Sequence, residues 1–337
     1  MWTVIGHAKE VGLLKRAAEG GRVSHAYLIV GPPQVGKMHL ALNFAQALSC
    51  FAGDRPCQIC SSCTRILANK HPDVQVIGLT ADDKSRDGRL HKEIRIDQIR
   101  ALQHSVALLP YEGRSKVFII DGAERLSEEA SNSLLKTLEE PPPHVVLILL
   151  AANDKLLLQT VLSRCQRIDL RPLPLAVVED ALVDRWQTDR VEARKLARLS
   201  EGRLGWALSL RHDGELVQQR ETRFKAMTGL LKATKNERFA AAAELANLFG
   251  RSREALDEIL TSWSGWWRDL LLVKGGCQDR IANIDWADEL AAIAREFSLE
   301  QIVVFIRFIQ ETRVRLSQNV NARLALEILL LDMPVGV

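Results

Sequence analysis

The segment that most constrains the fold is Gly31-Pro32-Pro33-Gln34-Val35-Gly36-Lys37-Met38, preceded by the apolar run Ala26-Tyr27-Leu28-Ile29-Val30 and followed by an Ala/Leu-rich helical stretch. It reads as strand, phosphate loop, helix. Gly31 and Gly36 free backbone amides to curl round phosphate oxygens, the helix N-terminus adds partial positive charge, and Lys37 supplies a mobile full charge. A purine nucleotide, ATP or ADP, is the expected ligand of such a loop. Position 38 departs from the pattern. A Ser or Thr hydroxyl there would ligate Mg²⁺, whereas the thioether of Met38 is a poor ligand for a hard cation.

A second signature is Lys116-Val117-Phe118-Ile119-Ile120-Asp121, an apolar strand ending in a carboxylate. Asp121 is placed to hold Mg²⁺ beside the phosphate loop. The Glu that would activate the attacking water at the next position is replaced by Gly122, and Glu124 is expected to point away. Val145 to Ala152 reads as a strand buried on both faces. Asn153 at its end either senses a γ-phosphate or caps the turn. With Val74 to Ile77 and Gln166 to Leu170, at least five strands alternate with helices, which predicts an α/β doubly wound parallel sheet.

Between the phosphate loop and the second strand lie Cys50, Cys57, Cys60 and Cys63, four of the six cysteines within fourteen residues. Two thiolate pairs at such spacing suit a tetrahedral, structural Zn²⁺ with no position left for water. A ferredoxin-type iron–sulfur run would need a further Cys followed by Pro shortly after Cys63, where Leu67 and Ala68 stand, so zinc is favoured. His71 lies near, but four cysteines already close the site. The module as a stand-alone nucleic-acid reader is weakly supported, since Arg55 and Arg65 are the nearby arginines and no aromatic residues interleave with them.

The remaining chain is expected to divide simply. Ile5 and its neighbours open the chain ahead of a helix bearing Val11, Leu14 and Ala18, and either pack as an arm or cover the adenine side of the pocket. Thr80 to Lys92 is charged and aperiodic and reads as a loop. Asp97 is expected to cap a helix running to about Leu108. The helix from Glu128 is stopped by Pro141 and Pro142. Residues 1–170 form the nucleotide-binding-type domain, 171–211 a helical lid, and 212–337 an all-helical domain. Trp263, Trp266 and Trp267 fall at helical spacing in that last part, as core residues of a bundle do. Composition is 47% hydrophobic and 26% charged, with a net charge of +3 that favours no partner class. The longest apolar run, eight residues, is too short to cross a bilayer, and no leader pattern opens the chain. Free thiols and these features predict a reducing, cytoplasmic setting.

Together, the phosphate loop, the cysteine quartet, Phe118 to Asp121, the run Leu134-Leu135-Lys136-Thr137-Leu138-Glu139-Glu140-Pro141-Pro142 and Ser163-Arg164-Cys165 resemble the clamp-loader branch of the AAA+ ATPases. The resemblance covers roughly the first two hundred residues. It implies an AAA+ sheet domain, a lid and a helical collar through which subunits assemble into a ring that places a sliding clamp on primed DNA. It implies as partners clamp-loader ATPase subunits and a delta-type subunit. It further implies that Arg164 acts as an arginine finger, delivered in trans to a neighbour's ATP, an effect worth roughly 10³–10⁵ in rate in related phosphoryl transfers. Motor subunits of this branch carry a lid arginine where this chain has Gly205. With Met38 and Gly122, that makes three catalytic features absent while the finger is kept, the pattern of a stator. An active motor subunit is the alternative.

Overall fold

The computed structural model describes residues 1–79, 93–318 and 320–335. The loop expected over 80–92 lies outside the described residues. Two compact units emerge: the first comprises Met1–Trp186 with Gly202–Trp206, the second Gln187–Glu201 and the chain from Ala207 onward.

The first unit is built on five parallel strands, β1 (Ala26–Val30), β2 (Val74–Ile77), β3 (Lys116–Asp121), β4 (Val145–Ala151) and β5 (Gln166–Asp169). Their order is β2-β3-β4-β1-β5. The central strands β1 and β4 are buried at every position, as β-branched and aliphatic runs covered on both faces must be. Alternation then sorts side chains between two cores. Tyr27, Ile29, Val146 and Ile148 meet Leu14, Phe44 and Leu48 on one face, with the Tyr27 and Phe44 rings edge-on at 5.1 Å. Leu28, Phe118, Leu147 and Leu149 meet Leu102, Leu134 and Leu138 on the other. The covering helices are α1 (Ala8–Gly20), α2 (Lys37–Ser49), α3 (Ser61–Leu67), α4 (Ile96–Val106), α5 (Glu128–Glu139) and α6 (Gln159–Leu162), and α7 (Leu175–Trp186) follows the last strand. Connections of this type place the loops after β1, β3 and β4 together at the strands' carboxyl ends, where ligands of such sheets bind.

At α4 the structure corrects the sequence reading. Arg95, not Asp97, holds the cap position, and Gln98 Oε1 reaches back to accept from the Arg95 amide at 3.0 Å. Asp97 sits in the first turn, where a carboxylate still faces the positive end of the helix.

The second unit is helical: α8 (Arg190–Leu199), the end of α9 (Leu204–His212), α10 (Gly214–Leu231), α11 (Lys235–Arg251), α12 (Arg253–Lys274), α13 (Ala287–Glu296), α14 (Leu299–Ser317) and α15 (Ala322–Leu331). Starts are marked by side-chain caps from Asp189, Asp213, Thr234, Ser252, Ser298 and Asn321. Trp266 and Trp267 have no exposed surface, and the Trp267 ring lies 4.6 Å from Phe305 and 5.7 Å from Phe297. The tryptophans at helical spacing are therefore core.

Two charged residues are buried in this unit. Asp269 Oδ2 accepts from the amides of Ala282 (2.9 Å) and Asn283 (2.8 Å) and from Asn283 Nδ2 (2.8 Å), tying the loop after α12 to that helix. Arg238, 3% exposed, donates from its guanidinium to Leu230 O (3.2 Å), Leu330 O (3.0 Å) and Met333 O (2.6 Å), with longer bonds to Leu231 O and Pro334 O (both 3.5 Å). One cation thus serves carbonyls at the end of α10 and at and just beyond the end of α15, of which Leu230 O also accepts from Ala233 N at 3.4 Å.

Candidate functional site

The phosphate loop is shaped by close approach. Gly31 N donates to Ala151 O at 3.1 Å, and a Cβ on Gly31 would lie 2.4 Å from Leu170 O, so a side chain there would displace the backbone. Gln34 and Gly36 adopt left-handed conformations, φ 60° and 111°, and Gly36 leads into α2. Lys37, the first residue of α2, turns back on the loop, with Nζ donating to Gly31 O (2.5 Å) and Pro32 O (3.0 Å). Burial lowers its pKa, and the carboxylates of Glu124 and Asp121 act in the opposite, smaller sense. Met38 is half-buried against the core that holds Leu40 and Phe44.

Asp121 closes β3 at its exposed end. Glu124 does not point away as its spacing suggested. Gly122, at φ 77°, opens a short turn over 123–125 that brings Glu124 back over the strand ends, where Oε1 accepts from Ala152 N at 3.0 Å. Asn153 Oδ1 accepts from Lys155 N at 3.0 Å, so its side chain caps the following turn. The start of α9 also reaches the loop: Gly205 N donates to Gln34 O at 3.0 Å, and a Cβ on Gly205 would stand 2.7 Å from that oxygen. No arginine side chain fits at 205 without moving α9 off the loop.

The four cysteines converge. Their sulfurs lie within 4.8 Å of one another, with Cys57 to Cys63 and Cys50 to Cys60 both at 4.0 Å. A tetrahedron of sulfurs about 2.3 Å from zinc has edges of about 3.8 Å, so the donor set fits that ion. Local structure explains the convergence. Cys50 ends α2, Cys60 caps α3 and Cys63 lies in its first turn, while the amides of Cys60 and Cys63 approach the sulfurs of Cys57 (3.3 Å) and Cys60 (3.5 Å). Amides of Ile59 and Cys60 hold the Cys57 thiol down at about 6, whereas burial pushes Cys63 up to about 12. A bound dication would offset that cost of a buried thiolate.

His71 is engaged elsewhere. Its buried ring accepts from Asp73 N through Nδ1 at 3.1 Å and faces Glu112 through Nε2 at 3.2 Å. Asp73 in turn accepts from the amides of Tyr111, Glu112 and Gly113, clamping the loop after α4 to the start of β2.

Arg164 follows α6. Nη1 donates to Thr160 O (2.9 Å) and Ser163 Oγ (3.3 Å), and Nη2 pairs with Glu139 Oε1 (2.9 Å). None of these partners belongs to the phosphate loop of the same chain. Cys165 turns inward to the core beside Leu162, and burial raises its thiol to about 11. The Ser-Arg-Cys run thus packs its cysteine against the core, while Ser163 and Glu139 hold the arginine.

Two family descriptions match this chain: "DNA polymerase III, delta subunit" over residues 6–174 and "DNA polymerase III, delta subunit, C terminal" over 215–334. The first alone covers half the chain. The chain belongs to the DNA polymerase III delta-subunit family. Among relatives of this delta-family chain, the DNA polymerase III subunit delta' of Bacillus subtilis is 29% identical, over 96% of this chain and 95% of its own length. The delta' subunit of Haemophilus influenzae is 32% identical over 58% of each. The tau subunit of Escherichia coli is 28% identical over 83% of this chain but only 43% of its own length. The delta-family chain is thus similar to both the delta' and the tau subunits of DNA polymerase III, and its first unit is built on a five-stranded parallel sheet. Among its described residues no helix is long and apolar enough to cross a membrane.

Sequence reasoning missed three features of the site. The Gly205 contact with Gln34, the return of Glu124 and the Glu139 partner of Arg164 all join residues far apart in the chain. Their one local sign was a glycine or an acid where the pattern asked for something else.

Proposed function

We propose that this chain is a delta'-type stator of a DNA polymerase III clamp loader: it assembles with motor ATPase subunits and a delta-type subunit and supplies Arg164 in trans for ATP-driven loading of a sliding clamp on primed DNA. The observation that carries this reading is the state of the two ends of the site. Arg164 is held ready at the surface, while the chain's own phosphate loop has Met38 turned into the core, Gly122 after Asp121, and Gly205 bonded to Gln34. A phosphate loop followed by Met38 in place of a hydroxyl, with Gly205 at the position where a lid arginine is expected, lacks groups that stabilise a transferring phosphoryl group.

The same reading divides the chain by role into 1–170, 171–211 and 212–337, the last serving as the assembly collar of a cytoplasmic replication complex. Gly31, Gly36 and Lys37 survive, which favours retained binding of ATP or ADP as a structural ligand, with Asp121 and Asn153 at the phosphate end. Zinc at Cys50, Cys57, Cys60 and Cys63 is structural.

Steady-state ATP hydrolysis by the isolated chain, with and without primed DNA, is expected to equal that of Lys37→Ala. Turnover well above that control would make the chain a motor. In a reconstituted complex, Arg164→Ala is expected to leave assembly intact and lower ATP turnover about tenfold, since a trans arginine acts on the transition state of the site it completes. Unchanged turnover would remove Arg164 from this role.

A further inference from the structure

The run from Leu134 to Pro142 is one of the most distinctive in the sequence, and the reading above gives it no task. Its last helical residue, Glu139, is the ion-pair partner of Arg164 at 2.9 Å. We propose that Glu139 is a positioning residue that presets the guanidinium of Arg164 for the neighbouring subunit's phosphate; this rests on Arg164 acting in trans.

Several observations carry it. Glu139 breaks a local rule, because a carboxylate in the last turn of a helix faces the negative end of the helix dipole. The pair is also too exposed to add much to stability, at 34% for the Arg164 side chain and 51% for Glu139. Folding therefore gives little reason for an acid at this position. Both partners nonetheless stand on rigid supports. On one side, Thr137 and Leu138 are buried and prolines 141 and 142 end the helix, fixing where the carboxylate emerges. On the other, Val161 is buried and Cys165 packs half-buried against the core, fixing the base of the arginine.

With Thr160 O and Ser163 Oγ on Nη1 and Glu139 on Nη2, the guanidinium plane is defined by three acceptors from two elements. A free arginine loses considerable rotamer freedom when it docks on an oxyanion, and a preset fork loses less. An exposed pair is also weak enough to yield when a triphosphate arrives. The contribution is to the transition state of the neighbour's reaction, so it should be read in kcat and not in nucleotide affinity.

The test uses the complex reconstituted with motor and delta-type subunits, comparing wild type, Glu139→Gln, Arg164→Ala and the double variant in steady-state ATP hydrolysis, with assembly followed by gel filtration. Glu139→Gln keeps the shape of the side chain and removes its charge. It is expected to lower kcat about threefold with KM for ATP within about twofold, and the double variant to be no worse than Arg164→Ala alone. If kcat of Glu139→Gln matches wild type while Arg164→Ala falls, the positioning role is wrong and the finger stands. If the two losses multiply in the double variant, Glu139 acts by another route and the proposal is equally overturned. If Arg164→Ala itself leaves kcat unchanged, the finger reading and this inference fall together. Loss of assembly in Glu139→Gln would assign the residue to the subunit contact instead, again against the proposal.

Discussion

Protein carrying Cys60→Ser is expected to lose its zinc, from about one ion per chain to less than half, and to open the module between α2 and α3 to proteolysis. Structural zinc contributes about 10–16 kcal/mol of apparent folding free energy in isolated finger peptides. Here the module is anchored on a folded sheet, so the loss is expected to be local first. It should not stay local. Gln46, fully buried in α2, donates from Nε2 to Cys63 O at 2.9 Å, and Asn43 Nδ2 approaches Gln46 Oε1 at 3.4 Å. Collapse of the cysteine knuckles leaves that buried amide unpaired, at a cost of about 1–3 kcal/mol. Metal analysis together with limited proteolysis and a melting curve tests this; full zinc content and unaltered protease resistance in Cys60→Ser would refute it.

Replacing Arg238 by methionine is expected to cost about 3–5 kcal/mol in the helical unit, since each buried carbonyl left without a donor costs about 1–3 kcal/mol. Methionine matches the length and fills the space but donates nothing, so the carbonyls of Leu330 and Met333 lose the guanidinium that serves them. A melting temperature lower by roughly 6–20 °C is expected for a unit of this size. Arg238→Lys should recover little, since an ammonium group cannot span the ends of two helices from one stem. A shift below about 2 °C for Arg238→Met would mean that water or neighbouring amides satisfy those carbonyls equally well.

These two predictions also mark what was legible in the sequence. The cysteine quartet was readable because zinc ligands come from short local knuckles, and spacing alone places Cys57, Cys60 and Cys63. The strand, loop and helix over 26–49 were readable for the same reason, since glycine, lysine and apolar periodicity act within a few residues. Strands β1, β3 and β4 followed from β-branched and aliphatic runs that a sheet covered on both faces buries, whereas the edge strands β2 and β5 carry shorter and more polar segments. Arg238 gave no such sign. Its partners lie near 230 and near 330, and an arginine on a helical stretch looks like any surface cation until the two helix ends meet. Asp97 failed as a cap because the helix already begins at Ile96, with Gln98 Oε1 accepting from the amide of the cap residue Arg95. Glu124 was misplaced because its direction depends on the left-handed Gly122, whose absent side chain was read only as a missing catalyst. Gly205 shows the same limit: its lost arginine was visible, while the backbone contact that glycine permits was not.

The order of strands has a consequence for how the chain is made. β1 carries the phosphate loop, yet its two neighbours are β4 and β5, and more than a hundred residues separate Val30 from Val145. At translation speeds of about 5–20 residues per second, the apolar segment Ala26–Val30 waits roughly six to twenty-three seconds for its first partner strand. During that interval both of its hydrogen-bonding edges are open, and the zinc module and α4 are synthesised into a chain that has no closed sheet to receive them. Early capture of the metal by a short local knuckle would give this nascent half a fixed point before its long-range strand pairing is possible.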